Sequence, residues 1–305
     1  MTILLTGASG LLGHKILERL VGRREKIIAL YNKNPLTIYS DNLSIVRMDI
    51  SNTIELEDLI MKTKPGVIIH TAALTNVDLC EVDKEKAWRI NVEATRSIVR
   101  AAKVAKSYIV YVSTDYVFDG EKGLYTEKDL PNPINYYGLT KLIGEELVRS
   151  SNLLYMIIRP SAIYGIGGSK KSFAEYVIEK LSKGEEIYAV IDQYVSPTLN
   201  TLLANAIIEI IDMKPMGILH IAGERMNRYE FALKIAETFN LPKEKIHRAT
   251  MKDMKHWKAR RPKDSSLNTS KARRLLKTNF HDTNTALNIF KKELMNYLRQ
   301  GNLNI

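Results

Sequence analysis

Through the first half of the chain, short runs of apolar and β-branched residues alternate with longer stretches whose apolar positions recur every three to four residues. The short runs are TILLTG, KIIALY, SIVRMD, GVIIHTAA, YIVYVST and LYMIIRP, and each reads as a strand. Residues 11–21, 54–63, 84–106 and 137–150 carry the helical period between them. Strand–helix alternation of this kind predicts α/β architecture, a doubly wound parallel sheet. GILHIAG reads as a seventh strand. After Pro160 the alternation loosens into a helix over 171–183, a loop around 192–198, a helix over 199–212 and a Lys/Arg-rich end. The organisation predicted is a first domain over 1–160, completed by the strand near 216–222, with a smaller interleaved C-terminal lobe built from 161–215 and 223–305. No internal repeat is visible.

Composition adds boundaries. At 305 residues, 45% apolar and 26% charged, the chain can bury a core and lies far from disordered or fibrous classes. Its single cysteine, Cys80, has no internal partner, and MTILLTGASG is a strand entering a glycine turn with no basic leader, so a cytoplasmic protein is expected. No apolar run approaches the eighteen or so residues of a spanning helix, and no membrane association is expected. The net charge of +11 suggests nucleic acid until it is located: residues 241–305 hold 16 Lys and Arg against 5 acids, which is the whole excess. That leaves a solvated helical face or a site for an anionic small molecule. No helix-turn-helix, zinc or RNA-binding pattern accompanies the charge, so a nucleic-acid partner is not expected.

The first strand ends in Gly7-Ala8-Ser9-Gly10-Leu11-Leu12-Gly13 and runs straight into a helix. Glycines there permit a tight turn and close approach of backbone N–H groups to a pyrophosphate, and the helix N-terminus adds partial positive charge. The spacing is G-x-x-G-x-x-G rather than G-x-G-x-x-G, but its place in a βαβ unit points to a Rossmann-like dinucleotide site. An acid at the end of the second strand would favour NAD. Here that strand ends Tyr31-Asn32-Lys33 with no carboxylate, so NADP(H) is the expected cofactor. By position, Asp49 and Ile50 should meet the adenine, and Ala72, Ala73 and Leu74 should line the cofactor's path.

Reducing a carbonyl with a nicotinamide requires a proton donor. Tyr-x-x-x-Lys on a helix supplies one, because residues i and i+4 share a face and a neighbouring ammonium lowers the phenol's pKa. Composition alone yields about one to two such pairs, and two occur, Tyr137…Lys141 and Tyr176…Lys180. The first follows a strand ending Ser113-Thr114, whose hydroxyls emerge at the carboxyl edge of the sheet, where ligands bind. The second has no such partner. Tyr137 and Lys141 are therefore the catalytic candidates. Neither a metal-ligand spacing, a hydrolase triad nor a P-loop is present: 165–168 is not closed by G-K-[ST].

Taken together, GASGLLG, TAALTNVDLCE, RINVEAT, STDYVFDG, NPINYYGLTKLIGE, IIRPSAIYG, DQYVSPT, GILHIAGE and RRPKDSSLNTSK resemble, nearly end to end, the extended short-chain dehydrogenase/reductases, and within them the dTDP-4-dehydrorhamnose reductase family. The resemblance implies a Thr114–Tyr137–Lys141 triad and NADPH-dependent reduction of the C4 ketone of a dTDP-6-deoxy-4-hexulose, with dTDP-L-rhamnose as product. It places Asn91 where it supports the lysine, Ser161 near the nicotinamide, and the loops 192–198 and 260–268 around a nucleotide-sugar pocket. Some family members hold a dimer-bridging Mg²⁺ on a carboxylate two residues past the third glycine; Lys15 stands there, so no metal is expected. The chain also resembles the regulatory β subunit of methionine adenosyltransferase. That alternative implies a cofactor-holding partner of another enzyme, while a different nucleotide-sugar reductase or an epimerase is a third. A homodimer, or a partner enzyme in the regulatory case, completes the implied assemblies.

Overall fold

The computed structural model describes residues 1–168 and 171–299. Strands β1 (Thr2–Thr6), β2 (Lys26–Tyr31), β3 (Leu43–Arg47), β4 (Val67–His70), β5 (Tyr108–Val112) and β6 (Tyr155–Arg159) join an edge strand, Gly217–His220, in one seven-stranded sheet. Its order is edge strand, β6, β5, β4, β1, β2, β3, and every neighbouring pair is parallel. The chain winds outward from β1 to β3, then returns to β4 on the other side of β1. That reversal opens a crevice at the carboxyl ends of β1 and β4. The predicted doubly wound sheet, including its seventh strand, is the observed one.

Helices α1 (Leu11–Leu20), α2 (Thr53–Thr63), α3 (Val77–Val82), α4 (Lys84–Trp88), α5 (Ala94–Ala105) and α6 (Tyr136–Arg149) accompany the first six strands; α7 (Phe173–Ser182), α8 (Asn200–Met213), α9 (Arg228–Phe239), α10 (Ser270–Leu275) and α11 (Thr283–Arg299) follow. Successive β1 residues face opposite sides of the sheet. Ile3 and Leu5 enter the core shared with α1 and α8, whereas Leu4 enters the core under α2 and α5, and all three are fully buried.

The structure departs from the expected elements at identifiable points. The stretch expected as one helix over 84–106 is interrupted by a π-helical turn, Arg89–Glu93, between α4 and α5. The strand expected over 44–49 ends at Arg47, because the Asp49 carboxylate accepts from the Ser51 amide (2.9 Å) and turns the chain. The helix expected from 171 begins at Phe173, where Ser172 and Glu175 form a capping box. The loop around 192–198 contains two short pairings, Tyr194–Val195 with Met226–Asn227 and Thr198–Leu199 with Ile163–Tyr164. A further parallel pair, Ile187–Val190 with Ile246–Ala249, had no counterpart in the sequence reading. Residues 300–305 of the expected lobe lie outside the described residues. Among the described residues, no helix is long and apolar enough to cross a membrane.

At the carboxyl edge, β6 ends on Arg159, whose guanidinium grips Glu145 of α6 through two bonds of 2.9 and 2.6 Å. Both side chains are buried, at 2% and 1% exposure. The guanidinium also lies over the Phe118 ring (5.1 Å) and 3.4 Å from His220 Nε2. Burial, with Arg159 beside it, lowers the His220 pKa to about 3, so this imidazole is neutral and donates from Nδ1 to the Tyr125 carbonyl (2.9 Å). Glu145→Gln should therefore strand a buried cation and cost about 3–5 kcal/mol in urea unfolding, with Glu145→Gln/Arg159→Met recovering most of it. A single-variant loss below about 1 kcal/mol would show that the pair does not hold α6 to the sheet.

Candidate active site

The cradle at the end of β1 is shaped by close backbone approaches. Gly7 has φ +71°, and a Cβ there would lie 2.8 Å from the Ala72 backbone; one on Gly13 would lie 2.0 Å from the Gly7 carbonyl oxygen. The Gly7 carbonyl accepts from the Gly10 amide (2.9 Å), and Ala8 donates to the Leu30 carbonyl (2.9 Å), locking the turn between β1 and β2. Where α2, α3, α6, α7 and α9 have side-chain caps, α1 starts at Gly10 with no side-chain cap and no acid in its first turn. Its leading N–H groups at Leu11 and Leu12, next to Ser9, are left for an anion. Tyr31, Asn32 and Lys33 follow on the β2 side, with Lys33 exposed. Arg47 of β3 donates to the Asn32 carbonyl (3.2 Å), adding a second cation that the sequence reading missed. Asp49 is exposed and Ile50 buried beside them.

Across the crevice, β5 delivers Ser113 and Thr114, both buried. The Ser113 hydroxyl makes no hydrogen bond among the described residues, a buried polar group left without a partner. Tyr137 and Lys141 sit one turn apart on α6, at 9% and 2% exposure. Burial raises the Tyr137 phenol well above its ordinary range, with the nearby Thr114 hydroxyl acting the other way. The Lys141 ammonium lies 4.1 Å from the centre of the Tyr111 ring. Desolvation lowers its pKa to about 7, against the pull of Glu145. Behind it, His70 bridges the Thr6 hydroxyl (2.8 Å) and the Thr95 hydroxyl (3.0 Å), and burial with the charge on Lys141 holds it neutral, with a pKa of about 3.

Asn91 lies on the π-helical turn, and its side chain clamps the two halves of this arrangement. It accepts from the Leu74 amide (2.8 Å) and donates to the Leu74 carbonyl (3.2 Å) and the Thr140 hydroxyl (3.0 Å). The turn Ala72-Ala73-Leu74 after β4 is thereby held against the helix bearing Tyr137 and Lys141. A π turn widens the helix by one residue and points Asn91 inward, which a regular helix at this place would not do.

Asp115, which the sequence reading passed over although it follows Thr114 directly, joins the remaining pieces. Its buried carboxylate accepts from Ser265 (2.5 Å), Ser161 (2.7 Å) and Thr114 (3.1 Å) hydroxyls. Ser161 in turn accepts from the Ser196 amide (3.1 Å), so the loops 192–198 and 260–268 are both tied to the end of β5. The Ser161 hydroxyl is thus committed to Asp115 and buried. The other tyrosine–lysine pair lies apart: Tyr176 is exposed on α7, and Lys180 is ion-paired with Glu185. Lys15 donates to Glu18 (2.9 Å) and lies 3.9 Å from Glu293.

With this geometry in hand, residues 1–296 match the family model described as RmlD substrate binding domain. Among solved structures, a hypothetical dTDP-4-dehydrorhamnose reductase from Sulfolobus tokodaii is 46% identical, with 92% of this chain and 97% of that one covered and a TM-score of 0.83. The dTDP-4-dehydrorhamnose reductase of Bacillus anthracis, in complex with NADP, is 29% identical over 96% of this chain and 99% of that one, with a TM-score of 0.84. Methionine adenosyltransferase 2 subunit beta of Rattus norvegicus is 29% identical over 88% of this chain and 80% of its own.

The depressed Lys141 pKa has a consequence for stability. Below pH 7 the folded chain carries a charged, desolvated ammonium; between pH 7 and 10.5 the folded state has lost that proton while the unfolded state keeps it, so the wild type gains stability as pH rises. Lys141→Met should be favoured most over wild type at pH 6, with the advantage closing by about 1 kcal/mol per pH unit through this window in urea titrations. A difference independent of pH would refute the assignment.

Proposed function

The chain belongs to the RmlD substrate binding domain family, and from that premise we propose that it is an NADPH-dependent reductase of the C4 ketone of a dTDP-4-dehydro-6-deoxy sugar, giving dTDP-L-rhamnose in the cytoplasm. The observation that supports this reading is the buried Tyr137 phenol with the Thr114 hydroxyl beside it and Lys141 one turn along the same helix. Residues 1–160 with the edge strand would hold the cofactor, and the remaining lobe the sugar nucleotide.

The chain's own groups fit a dinucleotide. The cradle from Gly7 to Gly13 leaves room only for backbone, so its N–H groups would take the pyrophosphate. Tyr31, Asn32 and Lys33, with Arg47, would surround the adenosine ribose and its 2′-phosphate, and Asp49 with Ile50 the adenine. Ala72, Ala73, Leu74, Asn91, Ser113 and Ser161 would border the path to the nicotinamide, and Lys141 its ribose. A nicotinamide bound there supplies hydride to the carbonyl carbon.

The rest is protein chemistry. Reduction calls for a donor that still holds its proton, and burial keeps the Tyr137 phenol protonated at neutral pH. Thr114 turns its hydroxyl from Asp115, the longest of that carboxylate's three bonds at 3.1 Å, to orient the carbonyl oxygen, and Tyr137 transfers its proton as negative charge builds there. Lys141, poised near neutrality, stabilises the phenolate left behind. The Asn91 clamp fixes the lysine's helix against the β4 turn.

Two measurements test this. NADPH should bind at least about tenfold more tightly than NADH, and Lys33→Glu should narrow or reverse the gap by repelling the 2′-phosphate; equal affinities in the wild type would refute the cofactor preference. With dTDP-4-dehydro-6-deoxy-L-lyxo-hexose, Tyr137→Phe should lower turnover by about 10²–10⁴ with NADPH binding unchanged, while Tyr176→Phe changes little. A wild-type protein that binds NADPH but oxidises none with any 4-ketosugar nucleotide, and that alters the kinetics of a methionine adenosyltransferase, would be a regulatory subunit instead.

A further inference from the structure

One buried amide joins the small lobe to the glycine cradle. Asn200 is the first residue of α8, and the two residues before it set its place: Thr198 and Leu199 pair in parallel with Ile163 and Tyr164, which holds the start of α8 beside the segment that follows β6. The side chain is fully buried. Its Nδ2 donates to two carbonyls from distant parts of the chain, Leu11 (2.8 Å) and Ile166 (2.8 Å). Only an NH2 group can serve two carbonyls, so the orientation of the amide is fixed. Oδ1 is left without a partner among the described residues and packs against Gly165, where a Cβ would lie 1.9 Å from it. A buried amide oxygen without a donor is unfavourable. What the asparagine supplies in return is its pair of N–H bonds, and both serve the head of α1.

The first bond acts within that helix. Leu11 is the first residue of α1, and its carbonyl shares one planar peptide unit with the Leu12 N–H, the two groups pointing in opposite directions along the helix. A donor on the Leu11 carbonyl therefore fixes the direction of the Leu12 N–H and polarises it, strengthening the bond that this N–H can give to an anion. The second bond acts from outside. Through buried Ile166 it holds the segment 165–168, whose Gly165 carbonyl also accepts from the Ser172 hydroxyl (3.3 Å). That segment lies against the head of α1: a Cβ on Gly168 would fall 2.7 Å from the Leu11 nitrogen. Only glycine permits such an approach. The glycines of 165–168, which close no P-loop, thus flank the same helix N-terminus that the cradle glycines open.

We propose that Asn200 is a positioning residue for the pyrophosphate of the cofactor: it aims the Leu12 N–H through the Leu11 peptide and seats the segment 165–168 along that side of the cradle. This role rests on the dinucleotide reading above and goes beyond it, since Asn200 lies outside the glycine motif, about 190 residues along the chain from Leu11. It makes the grip on the cofactor depend on the first turn of α8 as well as on the first turn of α1.

The test is calorimetric titration of the full chain with NADP⁺ and with adenosine 2′-monophosphate, which lacks the pyrophosphate. Asn200→Asp sets an oxygen against both carbonyls and should weaken NADP⁺ by about tenfold at pH 8, the equivalent of one net hydrogen bond, with adenosine 2′-monophosphate changed by less than about twofold. The gap between wild type and Asn200→Asp should narrow toward pH 6, because burial among carbonyls favours the protonated carboxyl, which regains one donor. Equal NADP⁺ affinity in wild type and Asn200→Asp, or an equal loss for both ligands, overturns the proposal and leaves the reductase reading standing. Failure of the wild type to bind NADP⁺ overturns the dinucleotide reading itself. If Asn200→Asp does not fold, Gly168→Ala decides, since that position is exposed and its Cβ presses on Leu11 alone. A loss of about three- to tenfold for NADP⁺ with adenosine 2′-monophosphate unchanged supports the role, and unchanged NADP⁺ affinity overturns it.

Discussion

A carboxylate buried with no cation at bonding distance among the described residues sets the shape of the site. Asp115 lies at the end of β5 with 3% exposure, and burial raises its pKa even as three hydroxyls counter the shift. Without a ligand its acceptors are filled by the hydroxyls of Thr114, Ser161 and Ser265. Those residues come from the strand end, the segment after β6 and the C-terminal lobe. One polar atom pair therefore holds together three pieces of chain that no common secondary structure joins. Losing any one donor would leave a buried acceptor short of a partner, which is costlier than the bond is strong. A direct salt bridge could tie two segments as tightly; only a multiple acceptor ties three.

The second constraint is the division of charge around α6. Glu145 lies one turn beyond Lys141 and would be its natural partner at i+4. It is instead bonded twice to Arg159, and among the described residues Lys141 forms no ion pair and lies over the Tyr111 ring face. An ammonium fully paired with a carboxylate would keep its pKa high and its charge neutralised, and would do little for a neighbouring phenol. Placed as it is, the lysine remains close to neutrality and answers to whatever charge arises nearby. Gly144 completes this arrangement, since a Cβ there would lie 2.1 Å from the Tyr111 hydroxyl and push the helix off β5.

Much of this was legible in the sequence because it is local. The glycines after β1 follow from chain geometry within seven residues, and Tyr137 was separable from Tyr176 because only the former follows a strand ending in hydroxyls. What escaped is non-local or depends on irregular backbone. The apolar period across 84–106 fits a continuous helix, and nothing in RINVE announces the π turn that turns Asn91 inward. The pairing of Ile187–Val190 with Ile246–Ala249 joins segments about sixty residues apart, beyond any periodicity. The basic excess after residue 240 drew attention toward the end of the chain, whereas Arg47 precedes it.

The two halves of the site are held by different means, and this bears on why similar chains can carry different names. The cradle around Gly7 and Gly13 depends on backbone clearance of 2–3 Å and on an uncapped helix. The opposite side depends on Asp115, whose bonds to the Ser161 and Ser265 hydroxyls bring the lobe in. Substitution around Ser161 and Ser265 can alter what is bound opposite the nicotinamide without disturbing the glycines, since the contacts do not overlap. A chain could therefore keep its dinucleotide and its tyrosine–lysine pair yet lose its substrate. In this chain the hydroxyl cluster on Asp115 closes and ties the lobe to the end of β5.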